Sequence, residues 1–186
     1  MRHVDPTEEQ SLVVRAKEGD MEAYECLVKA YERPIYYLCL RMAGAPQIAD
    51  DLAQETFIRA YGALPGFKEG RDFYVWLRRI AVNASLNHLR TAKREEPLGD
   101  REPAPYRDLP QDELLRREAE CEFQEALGAL PSDQREVFVL RAFEDQSYRD
   151  IARALKISKG TVMSRLSRAR KKLRVLLADR IERRRP

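Results

Sequence analysis

The residues of this chain best suited to chemistry lie in its last third, where hydroxyl and cationic side chains recur at helical spacing. Residues 147–152 begin one short helix, 156–158 form a turn, and 159–162 begin a second, longer helix. Four apolar residues at i, i+4, i+7 and i+11 form one stripe of that second helix: Val162, Leu166, Ala169 and Leu173. The opposite face carries hydroxyls and cations: Thr161, Ser164, Arg168 and Lys171, flanked by Arg165 and Lys172. Hydroxyls suit base edges and long cations suit phosphates, so the pattern predicts a helix-turn-helix that reads duplex DNA.

The charge distribution supports contact with nucleic acid at one end of the chain. The formal net charge is only +3, but residues 156–186 contain twelve Lys or Arg and two Asp or Glu. The remainder is therefore acidic. A basic end on an acidic body is typical of a protein that meets nucleic acid with that end. A merely solvated basic tail explains residues 183–185, but not charges that are phased onto one helix face.

Other functional classes find little support. Three scattered cysteines and two isolated histidines give no metal-ligand spacing, so we predict no metal, cofactor or disulfide framework. The chain has no phosphate-cradling glycine loop, no H-E-x-x-H and no nucleophile motif, and we predict no enzyme activity. It lacks an apolar run of eighteen residues and the pattern of a signal peptide, which predicts no membrane insertion and a cytoplasmic protein.

Apolar spacing is helical nearly throughout and predicts an all-α fold. Asp5, Asp20 and Asp72 each stand where an N-cap is expected. The predicted helices are 6–18, 21–43 with a kink at Pro34, 47–63, 73–90, 113–129, 133–142, 147–155 and 159–177. Residues 64–70 form a loop.

Residues 93–112 differ in character from the rest of the chain. Four of the ten prolines lie there, among mixed charges and few large apolar residues, which predicts a flexible linker. The expected architecture is two small helical domains, 1–92 and 113–186, the second with a basic C-terminal tail.

Five groups of residues, in this order, resemble the extracytoplasmic-function (ECF) sigma factors of bacterial RNA polymerase. They are Asp50, Asp51, Leu52, Ala53, Gln54, Glu55, Thr56 and Phe57; Phe73, Trp76, Leu77, Ile80, Ala81 and Asn83; Leu130, Pro131, Gln134 and Arg135; Tyr148, Ile151 and Ala152; and Gly160, Thr161, Val162, Ser164, Arg165, Leu166, Arg168, Ala169 and Arg170. The resemblance implies that 1–92 is sigma region two and 113–186 is sigma region four. It further implies a stress-response transcription factor without catalytic activity, with core RNA polymerase, promoter DNA and an anti-sigma factor as partners.

The third predicted helix has an acidic outer face. Its wheel buries Ile48, Ala49, Leu52, Thr56, Ala60 and Ala63. Such a face is commonly just solvated, although two large apolar side chains in it are harder to explain in that way. The resemblance implies that this helix docks on the clamp coiled coil of the largest polymerase subunit, while region four meets the flap of the second. The implied contacts are Asp50, Asp51, Gln54, Glu55, Phe57, Ile58 and Tyr61.

The fourth predicted helix has Phe73, Trp76, Leu77, Ile80 and Ala84 as its core stripe, with Asn83 and Asn87 at the edge. These asparagines could be structural, or could read base edges. The resemblance implies that this helix and the preceding loop hold the promoter's minus-ten element as an unpaired strand. Asn83 and Asn87 would read bases, Arg78, Arg79 and Arg90 would bind phosphates, and a loop pocket with Phe67 would take an everted base.

On the recognition helix the resemblance implies a contact set for the duplex minus-thirty-five element. Its members are Lys159, Thr161, Met163, Ser164, Arg165, Ser167, Arg168, Lys171 and Lys172. Met163 is expected nearer the buried flank, where only an apolar contact suits it. The alternative function is a helix-turn-helix regulator whose N-terminal half senses a signal or dimerises. Such a protein would not need the residue groups in 50–57 and 73–83.

Overall fold

The computed structural model describes residues 5–95 and 121–183, with side chains for 5–91 and 121–178. Every regular element in these ranges is helical, in agreement with the predicted fold class. The helices are α1 (Pro6–Lys17), α2 (Met21–Ala43), α3 (Pro46–Ala63), a short 3-10 turn (Leu64–Gly66), α4 (Phe73–Glu95), α5 (described over 121–128), α6 (Ser132–Ala142), α7 (Tyr148–Leu155) and α8 (Lys159–Arg183). No helix in the described ranges is long and apolar enough to cross a membrane.

Three aspartates cap helix N-termini as predicted. The carboxylate of Asp5 accepts a hydrogen bond from the amide of Thr7 at 2.8 Å. The carboxylates of Asp20 and Asp72 accept from amides three residues further on, each at 3.0 Å. These bonds satisfy backbone N–H groups that the helix leaves unpaired. The same amide bonds favour the carboxylate form, so the pKa values of Asp5 and Asp20 lie below their ordinary value.

Two helices run beyond their predicted ends. α4 continues to Glu95, so the first three residues of the predicted linker are helical. They are good helix formers, and the proline that disfavours a helix comes only at position 97. α8 continues to Arg183 rather than ending near 177. The rest of the predicted linker, 96–112, and the predicted helical residues 113–120 lie outside the described ranges.

The first compact unit comprises Met1–Leu40 and Gln47–His88. Its core includes Leu27, Ile35, Leu38, Leu64 and Leu77. An aromatic cluster joins Tyr31 of α2, Phe73 and Trp76 of α4, and Phe67 of the loop before α4. In this cluster the Phe67 ring centroid lies 5.7 Å from that of Phe73 and 4.9 Å from that of Trp76. Tilted ring pairs at these distances add favourable contacts beyond the area that they bury.

The second unit comprises Arg41–Pro46 and Leu89–Pro186. Its core is built where α6 and α7 pack on α8. The fully buried side chains there include Val137, Leu140, Ile151 and Val162. Arg135 is also buried, and its Nη1 donates to the carbonyl of Gly128 at 2.9 Å. Burial lowers the pKa of this guanidinium from its ordinary value.

Candidate nucleic-acid interface

α7 and α8 form the helix-turn-helix, and local chemistry fixes both sides of its turn. The hydroxyl of Ser147 accepts from the amide of Asp150 at the start of α7. Lys156 ends α7 in the left-handed conformation, with φ 55°. The hydroxyl of Ser158 accepts from the amide of Thr161 at 3.0 Å and so caps α8. The predicted bounds of the turn are confirmed.

The buried stripe of α8 is also confirmed. Val162, Leu166, Ala169 and Leu173 are all buried. This packing fixes the rotation of α8, so the opposite face must point away from the core. The exposed side chains on α8 include most of the predicted contact set: Lys159, Ser164, Ser167, Arg168, Lys171 and Lys172.

Three predicted α8 contacts differ from their expected positions, Met163 because it is exposed and the other two because they are half-buried. Met163 is 52% exposed, so its expected place near the buried flank is wrong. Its neighbour Val162 already fills the core position. Thr161 is half-buried, and its hydroxyl lies 2.9 Å from that of Ser158 in the helix cap.

Arg165, the third, is held by an ion pair that reaches another helix. Its Nε lies 3.1 Å from Oδ2 of Asp133, near the start of α6. The side chains of Arg165 and Asp133 are 24% and 35% exposed, so the pair is partly sheltered from solvent. In this structure Arg165 therefore braces α8 against α6 as well as bordering the exposed face.

The loop between α3 and α4 differs from the expected base pocket. Phe67 is 5% exposed because its ring packs into the aromatic cluster with Phe73 and Trp76. The ring is thus mainly a core group and not an exposed surface on which a base could stack. The ring does border a small cavity of about 70 Å³ between this loop and α1, which is lined by Glu9, Gln10, Val13, Val14, Phe67, Glu69, Gly70, Arg71 and Phe73.

The predicted reading residues of α4 are accessible. Arg79, Asn83, Asn87 and Arg90 are all exposed. Arg78 is half-buried, with its guanidinium carbon 5.5 Å from the centre of the Tyr74 ring. Asn83 and Asn87 are therefore exposed on α4, one turn apart. Of the predicted core stripe, Phe73, Leu77 and Ala84 are buried, whereas Trp76 and Ile80 are half-buried.

The outer face of α3 combines carboxylates with an unusually exposed apolar side chain. Ile58 is 73% exposed. The other predicted contacts divide into exposed Asp50, Asp51, Gln54 and Tyr61, and half-buried Glu55 and Phe57. On the inner side, Ala63 is exposed instead of buried because α3 gives way there to the 3-10 turn.

Tyr24 of α2 supports this face from behind. Its hydroxyl donates to the carbonyl of Phe57 at 2.6 Å, and its ring centroid lies 4.9 Å from that of Tyr61. Burial raises the pKa of Tyr24 to about 12, so the hydroxyl keeps its proton near neutral pH. Neither Tyr24 nor Asp133 was predicted as part of a site. Both contact residues more than thirty positions away in the sequence. Such contacts cannot be predicted from the spacing of residues within one helix.

The geometry defines a helical transcription factor with an exposed, basic recognition helix. Two family models match the chain, "Sigma-70 region 2" over residues 27–95 and "Sigma-70, region 4" over residues 122–173. The chain is 40% identical over 174 residues to the RNA polymerase sigma-H factor of Pseudomonas aeruginosa, covering 88% of this chain and 90% of that protein. It is 35% identical over 178 residues to the ECF RNA polymerase sigma factor SigW of Bacillus subtilis, covering 90% and 95%.

Two solved structures have a similar fold. One is CnrH in complex with the cytosolic domain of CnrY, with a TM-score of 0.54, 27% identity, and coverage of 92% of this chain and 98% of that one. The other is the sigma factor RpoE with the anti-sigma factor NepR from Bartonella quintana, with a TM-score of 0.53, 26% identity, and coverage of 83% and 96%.

The chain belongs to the ECF sigma factors, as the sequence motifs predicted. It is a transcription initiation factor that binds core RNA polymerase and directs it to promoters, reading the minus-ten element as a single strand and the minus-thirty-five element as duplex. The alternative of a stand-alone helix-turn-helix regulator is not favoured.

Proposed function

We propose that the exposed face of α8 reads the minus-thirty-five element in the major groove. Ser164 and Arg168 lie one turn apart on this face, where a recognition helix presents side chains to base edges. The exposed cations Lys159, Lys171 and Lys172, together with Ser167, contact the flanking phosphates. Met163 offers an apolar contact, for example to a thymine methyl. Thr161 and Arg165 border the face, the first with its hydroxyl 2.9 Å from that of Ser158 and the second paired with Asp133.

On α4, Asn83 and Asn87 read bases of the unpaired minus-ten strand. Their amides each supply a donor and an acceptor, and both side chains are exposed one turn apart. Arg78, Arg79 and Arg90 bind phosphates along the same strand. Phe67 supports the loop from within the core instead of stacking on a base itself.

The outer face of α3 is the proposed docking surface for the polymerase clamp. Ile58 supplies an apolar anchor, because an isoleucine with most of its surface in water gains free energy when a partner covers it. Asp50, Asp51, Gln54, Glu55, Phe57 and Tyr61 surround this anchor. The carboxylates among them suit a basic partner surface and orient the approach.

We further propose that region four meets the flap of the second polymerase subunit, that the protein acts in the cytoplasm and that it has no catalytic activity of its own. An anti-sigma factor holds it inactive. Support for that inhibitor comes from the two similar solved chains, whose structures contain CnrY and NepR respectively.

The observation that carries the proposal is the fixed rotation of α8, which buries four apolar residues and leaves Ser164 and Arg168 outward. Arg168→Ala, measured in the holoenzyme on single-base promoter variants, should lose about 1–3 kcal/mol of the free energy of promoter binding. It should also relax the base preference at particular minus-thirty-five positions. Lys171→Ala should weaken binding to all promoter sequences alike. It should also reduce the slope of the logarithm of the binding constant against the logarithm of salt concentration by about one unit. Arg170→Ala removes the same charge as Arg168→Ala from another side of the helix and serves as the control.

An unchanged base preference in Arg168→Ala would show that α8 contacts only the sugar-phosphate backbone of the DNA.

The role as a sigma factor has a separate test. The isolated chain should bind promoter duplex weakly, and core polymerase should make the binding specific. The reason is that each of the two domains contributes only a modest promoter contact, and polymerase fixes the spacing between them. Tight footprinting by the chain alone, unaltered by core polymerase, would restore the regulator alternative.

A further inference from the structure

Helix α1 has no part in the surfaces described above, and it lies before residue 27, where the region-two match begins. Its last turn carries Lys17, whose Nζ makes two bonds to the loop between the 3-10 turn and α4. It donates to the backbone carbonyl of Phe67 at 3.2 Å and to Oε1 of Glu69 at 2.8 Å. One side chain thus ties α1 to a loop fifty residues further along the chain.

The bond to Phe67 holds the loop at a point where the backbone connects directly to the core. Phe67 ends the 3-10 turn, where its amide donates to the carbonyl of Leu64. Its ring packs against Phe73 and Trp76 in the first turn of α4. A shift of the Phe67 backbone would therefore move the ring that supports the start of α4, the helix that carries the proposed minus-ten contacts.

The environment of Lys17 makes this a stronger tie than a surface ion pair. The Lys17 side chain is 21% exposed, whereas that of Glu69 is 63% exposed. An exposed ion pair alone contributes little. A sheltered ammonium that donates to a carbonyl and a carboxylate together makes charge-assisted bonds, which are shorter and stronger than neutral ones. The C-terminal turn of α1 also favours a cation at this position.

We infer that Lys17 is a positioning residue for reading the minus-ten element, acting through the Phe67 loop and without touching DNA. The inference rests on the proposed role of α4 and this loop in holding the unpaired strand. It gives α1 a function. The helix fixes the position of the Phe67 loop on the core, and thereby the path of the unpaired minus-ten DNA strand along α4.

Trp76 allows the tie to be tested without DNA, because it is the only tryptophan in the chain and it contacts Phe67. Lys17→Met keeps the length of the side chain but removes its charge and donors. We expect this variant to increase acrylamide quenching of Trp76 fluorescence and Lys17→Arg to restore the wild-type value. Lys29→Met is the control, because Lys29 pairs with Glu25 within α2. Wild-type quenching in Lys17→Met would overturn the tie.

In holoenzyme, Lys17→Met should lower open-complex formation about tenfold, the loss expected from a sheltered charge-assisted bond. Affinity for core polymerase and preference at minus-thirty-five bases should stay at wild type, and Lys17→Arg should recover most of the loss. Unchanged opening, or an equal loss in all three measurements, overturns the inference. Glu69→Gln is a milder second variant, because Glu69 is exposed and the bond from Lys17 to the Phe67 carbonyl remains. It should lower open-complex formation by a smaller factor.

The two proposals fail in distinguishable ways. Wild-type holoenzyme that opens no promoter contradicts the proposed function, and with it the positioning role in DNA reading. Wild-type holoenzyme that opens promoters, beside a Lys17→Met variant that does so equally well, contradicts the positioning role alone. The quenching measurement decides in either case whether Lys17 holds the loop.

Discussion

The ion pair between Arg165 and Asp133 makes a quantitative prediction for promoter binding. Arg165 borders the proposed reading face of α8, but its Nε lies 3.1 Å from the Asp133 carboxylate. A phosphate that approaches this edge of the helix must compete with Asp133 for the guanidinium. Asp133→Asn removes the competing charge with little change in shape. We expect the variant to bind promoter DNA more tightly and less selectively than the wild type.

The size of this effect follows from the geometry of the pair. Two unit charges 3.1 Å apart attract by about 5 kcal/mol at an effective dielectric constant of 20. Desolvation and side-chain entropy offset most of this, and measured pairs near the surface contribute 0.2–1 kcal/mol, roughly. Both side chains are about one third exposed or less, so we expect the contribution of this pair to lie near the upper end of that range, at about 1 kcal/mol. Released to a phosphate, that energy corresponds to about fivefold in the binding constant.

The assay is the binding of holoenzyme to a promoter and to a scrambled minus-thirty-five sequence across several salt concentrations. Asp133→Asn should bind both more tightly and steepen the salt dependence by about 0.9 unit for one added phosphate contact. In the isolated protein it should lower the thermal midpoint of the second unit by about 4–8 °C, the shift expected for a loss of about 1 kcal/mol in a domain of roughly 100 residues. Asp145→Asn is a matched control, because Asp145 pairs at 3.8 Å with Arg141 of α6, four residues earlier in the chain, and is almost fully exposed. A wild-type salt slope in Asp133→Asn would show that Arg165 keeps to the protein when DNA binds.

Two further predictions concern the first unit. The double variant Asp51→Ala and Ile58→Ala should fold normally by circular dichroism yet lose at least about tenfold in affinity for core polymerase, as expected for loss of a hot spot. Met21→Ala removes another exposed apolar side chain and should have no effect; wild-type affinity in the double variant would refute the docking surface. Asn83→Ala and Asn87→Ala should each cost about 1–3 kcal/mol at particular minus-ten bases on a panel of promoter variants. A lowered melting temperature with an equal loss at every base would instead assign these asparagines a structural role.

Local chemistry accounts for what the sequence could predict. The turn of the helix-turn-helix was predictable because caps and apolar spacing act over a few residues, as Ser158 and Val162 illustrate. The tie from Lys17 to its loop was not, because it joins residues fifty positions apart and depends on how helices pack. Phe67 shows the same limit. The family resemblance implied a loop pocket with Phe67 open to an everted base, and only the packing of the aromatic cluster reveals that the ring is buried.

The separation between the buried and exposed faces of α8 has a consequence for how such factors diverge. Leu166 and its neighbours in the stripe carry the packing, whereas Ser164 and Arg168 face outward and are absent from the core. Exposed substitutions away from such contacts usually change the free energy of unfolding by no more than about 0.5 kcal/mol. Duplicated copies of the gene could therefore acquire new promoter preferences by changes at the outward positions, with little loss of stability along the way. Selection against cross-talk between the copies would then act on a few exposed side chains while the scaffold stayed the same.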